Sequence, residues 1–124
     1  MGGVVTGLDH VQIAIRRGGE DVARAIFGGR FGLAEIPKPA NLAKRGGVWF
    51  ALGEQELHCG VEEPFVPARK AHPALIVRGL AALRARLEAE GLSPGDEDPL
   101  PGFDRFYLDD PFGNRLEFLE RQSG

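Results

Sequence analysis

The sequence has one cysteine, a small net charge and only short apolar runs. These features argue against a disulfide-linked, a nucleic-acid-binding and a membrane-spanning protein. Cys59 is the single cysteine, so no internal disulfide can form, which suits a reducing cytoplasm. The net charge is −3 and basic residues alternate with acidic ones, so no basic surface for nucleic acid is expected. No apolar run approaches the roughly 18 residues that cross a bilayer, and no charged-then-apolar leader opens the chain. These absences predict a cytoplasmic protein whose partners include neither nucleic acid nor a membrane.

Tryptophan and tyrosine are also scarce, with one of each, so eight phenylalanines must supply most of the aromatic bulk. Hydrophobic residues make up 43% of the 124 residues, which is ordinary for a globular chain that fits one compact domain. Glycine is abundant, with 18 residues, and this indicates the many sharp turns of a fold with short strands.

What the sequence does contain is an approximate repeat in which each half carries one histidine and one glutamate. His10 and His72 lie near the start of the two halves, and Glu56 and Glu117 lie near their ends. The histidines are 72 − 10 = 62 residues apart and the glutamates 117 − 56 = 61. A duplicated module folded about a pseudo-two-fold axis would bring these four side chains to a common centre.

Hydrophobic periodicity predicts the same order of elements in both halves: a strand, a helix, a loop and two or three further strands. We expect two tandem modules at about residues 4–61 and 70–121, joined by a proline-containing linker at about 62–69. In the first module the predicted elements are a strand at 4–15, a helix from Glu20 with an apolar stripe of Val22, Ile26 and Phe27, an irregular loop at 34–47, and a hairpin of strands 48–52 and 55–61. Three glycines, Gly28, Gly29 and Gly32, are predicted to end this helix. In the second they are a strand at 72–77, a helix at 80–90, a loop at 93–102, and strands at 104–108 and 115–120.

Alternation along the strands separates an apolar face from a face that carries the polar candidates. His10 and Gln12 share one face of the first strand, and Arg115 and Glu117 share one face of the last. The apolar faces are expected to pack against the helices. The polar faces would then line the inside of a cup, where small-molecule sites tend to lie.

Two imidazoles and two carboxylates around one centre form a ligand set for a divalent metal, with Zn, Ni, Mn, Fe and Mg all possible. His10, His72 and Glu117 are three of the predicted ligands. Glu56 and His58 share a strand face about 7 Å apart, and both are competent as the fourth. The repeat favours Glu56, which leaves His58 as an alternative ligand or a substrate contact. Glu117 or Glu56 could also act as a general base.

Several other polar side chains are candidates for the substrate pocket, and each has an ordinary alternative. Arg115 is either a solvent-exposed strand residue or an anion contact at the rim of the cup. Gln12, His58 and Tyr107 complete the predicted pocket. Cys59 has no acid–base partner in the sequence pattern and is predicted to be a core residue rather than a nucleophile.

Three segments of the chain resemble the vicinal oxygen chelate superfamily, which includes glyoxalase I, fosfomycin resistance proteins and extradiol dioxygenases. The N-terminal Asp-His-Val-Gln-Ile-Ala-Ile is similar to the first strand of this family with its ligand, and Ala-His-Pro-Ala-Leu-Ile-Val to the start of its second module. The ending Asp-Asp-Pro-Phe-Gly-Asn-Arg-Leu-Glu-Phe-Leu-Glu is the most specific of the three. The resemblance spans nearly the whole chain.

The resemblance implies an α+β fold of two βαβββ modules that form an open eight-stranded cup around a divalent metal. It implies ligands at His10, His72 and Glu117, with Glu56 in the fourth position as in glyoxalase I. His58 is a departure from this pattern, because glyoxalase I has no corresponding histidine at that position. The loop between the first helix and the second strand is short, which argues against glutathione as a substrate.

The function implied is metal-dependent isomerase, lyase or dioxygenase-like chemistry on a small substrate that chelates the metal through two oxygens. The alternative is a metal-free protein that binds or sequesters a small molecule and resembles bleomycin resistance proteins. A homodimer is expected in either case, because separate half-sheets leave exposed edges that pairing would cover.

Overall fold

The computed structural model describes residues 3–123 and has the predicted α+β class. The chain divides into two compact units, the first ending at Pro67 and the second beginning at Ala68. Within residues 3–123, no helix is long and apolar enough to cross a membrane.

The first unit is built on one mixed sheet. Its elements are β1 (His10–Ile15), α1 (Glu20–Ala23), a π-helix (Arg24–Arg30), β2 (Glu35–Ile36), α2 (Ala40–Ala43), β3 (Val48–Leu52) and β4 (Gln55–Val61). The strand order is β1-β4-β3-β2, with β1 parallel to β4 and the other neighbours antiparallel. The hairpin of β3 and β4 has the bounds that the sequence predicts.

The second unit is built on a smaller sheet of the same kind. Its elements are β5 (Ala74–Ile76), α3 (Leu80–Ala89), β6 (Phe103–Asp109) and β7 (Arg115–Arg121). The strand order is β5-β7-β6, with β5 parallel to β7 and β6 antiparallel to it. Both units therefore pair their first strand in parallel with their last, which supports a duplicated module.

One face of each sheet carries the apolar core. Fully buried side chains in the first unit are Ile15, Phe27, Val48, Phe50, Leu57 and Cys59, and in the second Leu87, Phe106, Leu116 and Phe118. The Phe27 ring, from the π-helix, lies 6.0 Å from the Phe50 ring on β3. Burying a side chain of this size stabilises the fold by roughly 1.5–3 kcal/mol. Cys59 is buried in this core, as predicted.

The first strand and the first helix differ from the prediction. β1 begins at His10 rather than near Val4, which is 99% exposed. The helix continues through Gly28 and Gly29 as a π-helix, in which the Phe31 amide donates to the Ile26 carbonyl five residues earlier (2.9 Å). Of the three glycines predicted to end the helix, only Gly32 follows its last residue, Arg30. Val22, in α1, is 43% exposed whereas its neighbour Ala23 is buried, so the expected apolar stripe is wrong at that position.

The predicted irregular loop at 34–47 contains the short strand β2 and the single-turn helix α2. Pro39 directly precedes α2, where its fixed φ and missing N–H are tolerated. Gly47 then has a φ of +89°, and a Cβ at this position would lie 2.3 Å from the Cys59 carbonyl oxygen. Only glycine lets the chain enter β3 so close to β4.

The second unit has the three strands that periodicity predicts but one fewer than the βαβββ module implied by the resemblance, so residues 3–123 contain seven strands rather than eight. In place of the missing strand, Gly95 forms an isolated antiparallel bridge with Tyr107 (2.7 and 2.9 Å). Pro94 and Pro99 lack an N–H and confine the pairing to this point. β5 is also shorter than the predicted strand at 72–77, and His72 precedes it.

A polar turn fixes the start of β7. The Asp110 carboxylate accepts hydrogen bonds from the amides of Phe112 (2.9 Å) and Asn114 (2.8 Å), and the Asn114 side-chain amide donates to it at 3.0 Å. The Asn114 side chain also accepts from the Ala68 amide (3.0 Å). Asp110 and Asn114 are both buried, so this network sets where the last strand begins.

Glu120, on the apolar side of β7, caps the N-terminus of α3 across the fold. Its carboxylate accepts from the amides of Gly79 (2.9 Å) and Leu80 (3.0 Å), two donors that the helix leaves without an internal partner. These hydrogen bonds, that of Gly79 first, lower the pKa of Glu120 below its ordinary value of 4.5.

Glu120→Gln should lower the melting temperature at neutral pH, because a neutral amide is a weaker cap than a carboxylate. The pKa of Glu120 is lower in the folded protein than in the unfolded chain, so its stabilisation is present above pH 4.5 and is lost as the pH falls through the folded pKa. Melting curves between pH 7 and pH 3 should show parent and variant converging. Glu88→Gln, on the same helix, is the control, and a gap that does not change with pH would exclude a role for the charge.

Candidate functional site

The polar faces of the two sheets carry the residues that the sequence singled out. The first cluster comprises His10, Gln12, Trp49, Glu56 and His58, on β1, β3 and β4 of the first unit. The second cluster comprises His72, Arg105, Tyr107, Arg115 and Glu117, on or next to β5, β6 and β7 of the second unit.

Strand register brings the members of the first cluster together. In the parallel pair β1–β4, His10 stands opposite Glu56 and Gln12 opposite His58. In the antiparallel pair β3–β4, Trp49 stands opposite His58. Residues that stand opposite one another share a face, so all five side chains lie on the side away from the core.

Three rings of the first cluster form a continuous stack. His58 lies against Trp49, with ring centroids 3.7 Å apart and planes 2° apart, and against His10 on its other side, at 4.0 Å and 18°. His58 is only 4% exposed as a result. The sequence analysis missed Trp49, although a two-residue turn between β3 and β4 fixes its register with His58.

Hydrogen bonds orient both histidines of the first cluster. The Nε2 of His58 lies 2.8 Å from Oε1 of Glu56, and the Nδ1 of His10 lies 2.9 Å from Oδ2 of Asp9. A proton on each of these nitrogens satisfies both carboxylates and leaves the Nε2 lone pair of His10 available. Gln12 lies against the β4 backbone, since a Cβ at Gly60 would be 2.8 Å from its Nε2.

The second cluster surrounds the buried carboxylate of Glu117, whose side chain is 8% exposed. Its Oε1 lies 2.9 Å from Nε2 of His72 and accepts from the Tyr107 hydroxyl at 3.2 Å. Its Oε2 accepts from Nη1 of Arg105 at 3.2 Å. Burial raises the pKa of Glu117, but hydrogen bonds from His72, Arg105 and Tyr107 outweigh burial and hold the pKa below its ordinary value. Glu117 is therefore a fixed anion.

Two arginines enclose Tyr107. Arg105 donates to the Tyr107 hydroxyl (3.0 Å), and the guanidinium of Arg115 lies 4.0 Å from the centre of the Tyr107 ring. Arg115 also forms an ion pair with Glu97 and is 25% exposed, so it is neither a fully exposed strand residue nor an unpaired cation. The sequence analysis missed Arg105, which alternation along β6 places on the same face as Tyr107.

A cleft of about 450 Å³ opens beside the second cluster. It is lined by Arg69, Ser93, Gly95, Tyr107, Leu108, Asp109 and Arg115. Tyr107 and Arg115, both predicted for the substrate pocket, thus border one cleft, and Tyr107 links it to Glu117. Gln12 and His58 belong to the first cluster instead.

Each unit supplies one histidine–glutamate pair of the predicted ligand set. Among residues 3–123, no three or more His, Cys, Asp or Glu side chains are arranged to hold an ion. The two pairs also differ in register, because His10 stands opposite Glu56 whereas Ala74, two residues after His72, stands opposite Glu117. The centre of four ligands remains a prediction.

Comparison with known proteins identifies relatives by structure. The chain is similar to a glyoxalase family protein from Bacillus anthracis, with 47% sequence identity over 98% of this chain and 100% of that one and a TM-score of 0.92. It also matches lactoylglutathione lyase from Agrobacterium tumefaciens (19% identity, 95% and 96% of the two chains, TM-score 0.72). The fosfomycin resistance protein FosX from Listeria monocytogenes matches at 14% identity over 98% and 95%, with a TM-score of 0.70. No family model and no curated protein matches the chain.

Tyr107→Phe should reduce the free energy of unfolding by about 1–2 kcal/mol, because it keeps the ring but removes the hydroxyl that donates to the buried Glu117 and accepts from Arg105. Urea unfolding in the presence of EDTA measures this change without interference from metal ions. The same substitution in a Glu117→Gln background should cost less, because the hydroxyl then loses its charged partner. If Tyr107→Phe reduced the free energy of unfolding equally in the two backgrounds, Tyr107 would not act through Glu117.

Proposed function

The chain belongs to the glyoxalase family, within the vicinal oxygen chelate superfamily, and from this premise we propose that it is a divalent-metal-dependent enzyme. Its substrate is a small molecule that binds through two neighbouring oxygens, and its reaction is of the isomerase, lyase or dioxygenase-like type. The chemistry of the two clusters supports the proposal beyond family membership.

The surroundings of His72 carry the proposal. Its Nδ1 lies 2.9 Å from the Lys70 carbonyl oxygen and its Nε2 lies 2.9 Å from Oε1 of Glu117. A neutral imidazole has one N–H and can donate to only one of these acceptors. With the proton on Nδ1, a lone pair and a carboxylate oxygen face each other. A cation bound to both relieves their repulsion, and an Nδ1–H held by a carbonyl is the usual arrangement of a metal-binding histidine.

The donors of the two clusters fit a divalent ion such as Zn, Ni, Mn, Fe or Mg. Imidazole nitrogen and carboxylate oxygen suit most of these metals, and His10 repeats the arrangement of His72 by using its Nδ1 on Asp9. We take His10 and Glu56 together with His72 and Glu117 as the ligand set. When bound there, the ion would polarise the substrate oxygens and stabilise the negative charge that develops on them.

The two carboxylates have different surroundings, which suits them to different roles. Glu117 is buried, and Arg105 and Tyr107 donate to it whichever nitrogen of His72 carries the proton, so it serves best as a permanent anionic ligand. Glu56 is 40% exposed and accepts a hydrogen bond from His58. We assign to Glu56 the role of general base, which takes a proton from a carbon of the substrate.

The substrate side of the proposal rests on the cleft of the second unit, which Tyr107 links to Glu117. Arg115 and Tyr107 line this cleft, and we assign them to substrate binding together with Gln12. Arg105 and Tyr107 would keep Glu117 ionised and oriented throughout the reaction.

A metal-free binding protein that resembles bleomycin resistance proteins is the second candidate. One observation favours it: Arg105 already balances the charge of Glu117, and the Tyr107 hydroxyl donates a second hydrogen bond to it. His72 would then carry a proton on Nε2 and donate to Glu117. The net charge of −3 suits a cationic ligand.

We also propose a homodimer in the cytoplasm. β1 and β5 each lie at an edge of their sheet, and an edge strand offers unpaired backbone groups that a second copy would cover. Cys59 is the single cysteine and forms no internal disulfide, which is compatible with a reducing compartment. The ligand set can come from one chain or from both chains of the dimer.

Elemental analysis of untagged protein purified without chelator tests the function. The parent should contain about one divalent ion per site, whereas His10→Ala and Glu117→Gln should contain little, because each loses one of the proposed ligands. Glu120→Gln, three residues after Glu117 and on the other face of β7, is the matched control and should keep its metal.

Absence of metal from the parent, even after incubation with divalent ions, would contradict the enzyme proposal. Thermal stabilisation by a planar cationic compound in the presence of EDTA would then support the metal-free candidate. Circular dichroism of each variant establishes that loss of metal does not reflect loss of the fold.

A further inference from the structure

We infer that His58 is a positioning residue that fixes both His10 and Glu56, rather than a metal ligand or a substrate contact. The inference rests on the proposed function, since it takes His10 and Glu56 as the residues whose orientation matters. Three observations on the first cluster carry it: the stacking of His58, its hydrogen bond, and its place in the strand ladder.

Stacking removes the faces of the His58 ring from any ligand. Trp49 covers one face at 3.7 Å and His10 covers the other at 4.0 Å. The His58 side chain is 6% exposed, against 41% for His10. A ring held between two others cannot rotate toward a substrate without separating the stack, so His58 is held while His10 remains accessible.

The hydrogen bond uses the nitrogen that a ligand would need. Nε2 of His58 lies 2.8 Å from Oε1 of Glu56, where a proton on Nε2 makes it the donor. Binding an ion through this nitrogen would remove the proton and break the contact with Glu56. The hydrogen bond restricts a glutamate side chain that its 40% exposure would otherwise leave mobile.

The strand ladder explains why a single side chain can act on both partners. His10 and Glu56 stand opposite each other on β1 and β4, and His58 follows Glu56 by two residues on the same face. His58 therefore lies diagonally from His10, close enough for ring contact, and next to Glu56, close enough for a hydrogen bond. His58 therefore contacts both His10 and Glu56, the two predicted ligands of the first cluster.

NMR spectra that correlate the ring protons and ring nitrogens of the histidines test this inference directly. The chain has three histidines, so single substitutions assign every ring nitrogen. In metal-free protein, His58 should be the Nε2–H tautomer. On addition of Zn²⁺, the Nε2 signals of His10 and His72 should move to the positions of metal-bound nitrogen, and His58 should keep its Nε2 proton. Loss of that proton on addition of Zn²⁺ would overturn the inference in favour of direct ligation.

Two substitutions separate the contacts of His58. His58→Phe keeps a ring between Trp49 and His10 and removes the donor to Glu56, while His58→Gln keeps a donor and removes the ring. Calorimetric titration with Zn²⁺ should show a roughly 10–100-fold weaker Kd for each variant, the loss typical of removing a group that orients a ligand. In a Glu56→Gln background, His58→Phe should add little further loss. An unchanged Kd in His58→Phe would reduce His58 to a packing residue and overturn the inference.

Controls keep the two proposals distinct. Glu54→Gln removes a carboxylate two residues before Glu56, in the turn, and should leave the Kd unchanged. Near-ultraviolet circular dichroism of Trp49, the single tryptophan, reports whether the ring stack survives in each variant. If Zn²⁺ moves no imidazole signal in the parent, the proposed function fails. The His58 tautomer then decides the inference by itself, since Nε2–H supports it and Nδ1–H overturns it.

Discussion

Parallel pairing between the first and the last strand of each unit is the constraint on which both clusters depend. In the first unit it sets His10 opposite Glu56, which is 56 − 10 = 46 residues later in the chain. In the second it sets β5 beside β7, so that His72, just before β5, reaches Glu117. Because side chains alternate along a strand, the same pairing sends the apolar residues to the opposite face, where they form the core with the helices. The same strand pairing therefore produces both the apolar core and the polar clusters.

The position of Glu117 is fixed from both ends of β7. The buried turn of Asp110 and Asn114 determines where the strand begins, and Glu120, near its end, holds the first turn of α3. A shift of one residue would turn Glu117 into the apolar core and Phe118 toward the polar face. Residues that never touch a substrate are thus responsible for the orientation of the candidate ligand.

Local surroundings give chemically identical side chains different properties. Glu117 is buried and held by an arginine, a tyrosine and a histidine, whereas Glu56 is partly exposed and depends on His58. The histidines differ in the same way. His58 is enclosed between two rings, while His10 is open to solvent on its other side. Membership of the glyoxalase family accounts for the fold that brings these groups onto polar faces, and the contacts of each residue account for its proposed role.

The sequence by itself determined the α+β class, the β3–β4 hairpin, the start of α3 and the faces of the strands, because alternation and turn residues act over a few positions. The sequence also reduced the candidates for the fourth metal ligand to Glu56 and His58, which lie on the same strand face and which alternation cannot separate. Only the tertiary structure decided what surrounds each of them. Arg105 reaches Glu117 from the neighbouring strand β6, and this contact is not visible as a local pattern. The short turn of the β3–β4 hairpin fixes the register of Trp49 with His58, but only the structure shows that their rings stack. The Gly95 bridge to Tyr107, which stands in place of an eighth strand, is likewise a pairing between separate segments of the chain, so the repeat in the sequence did not predict it.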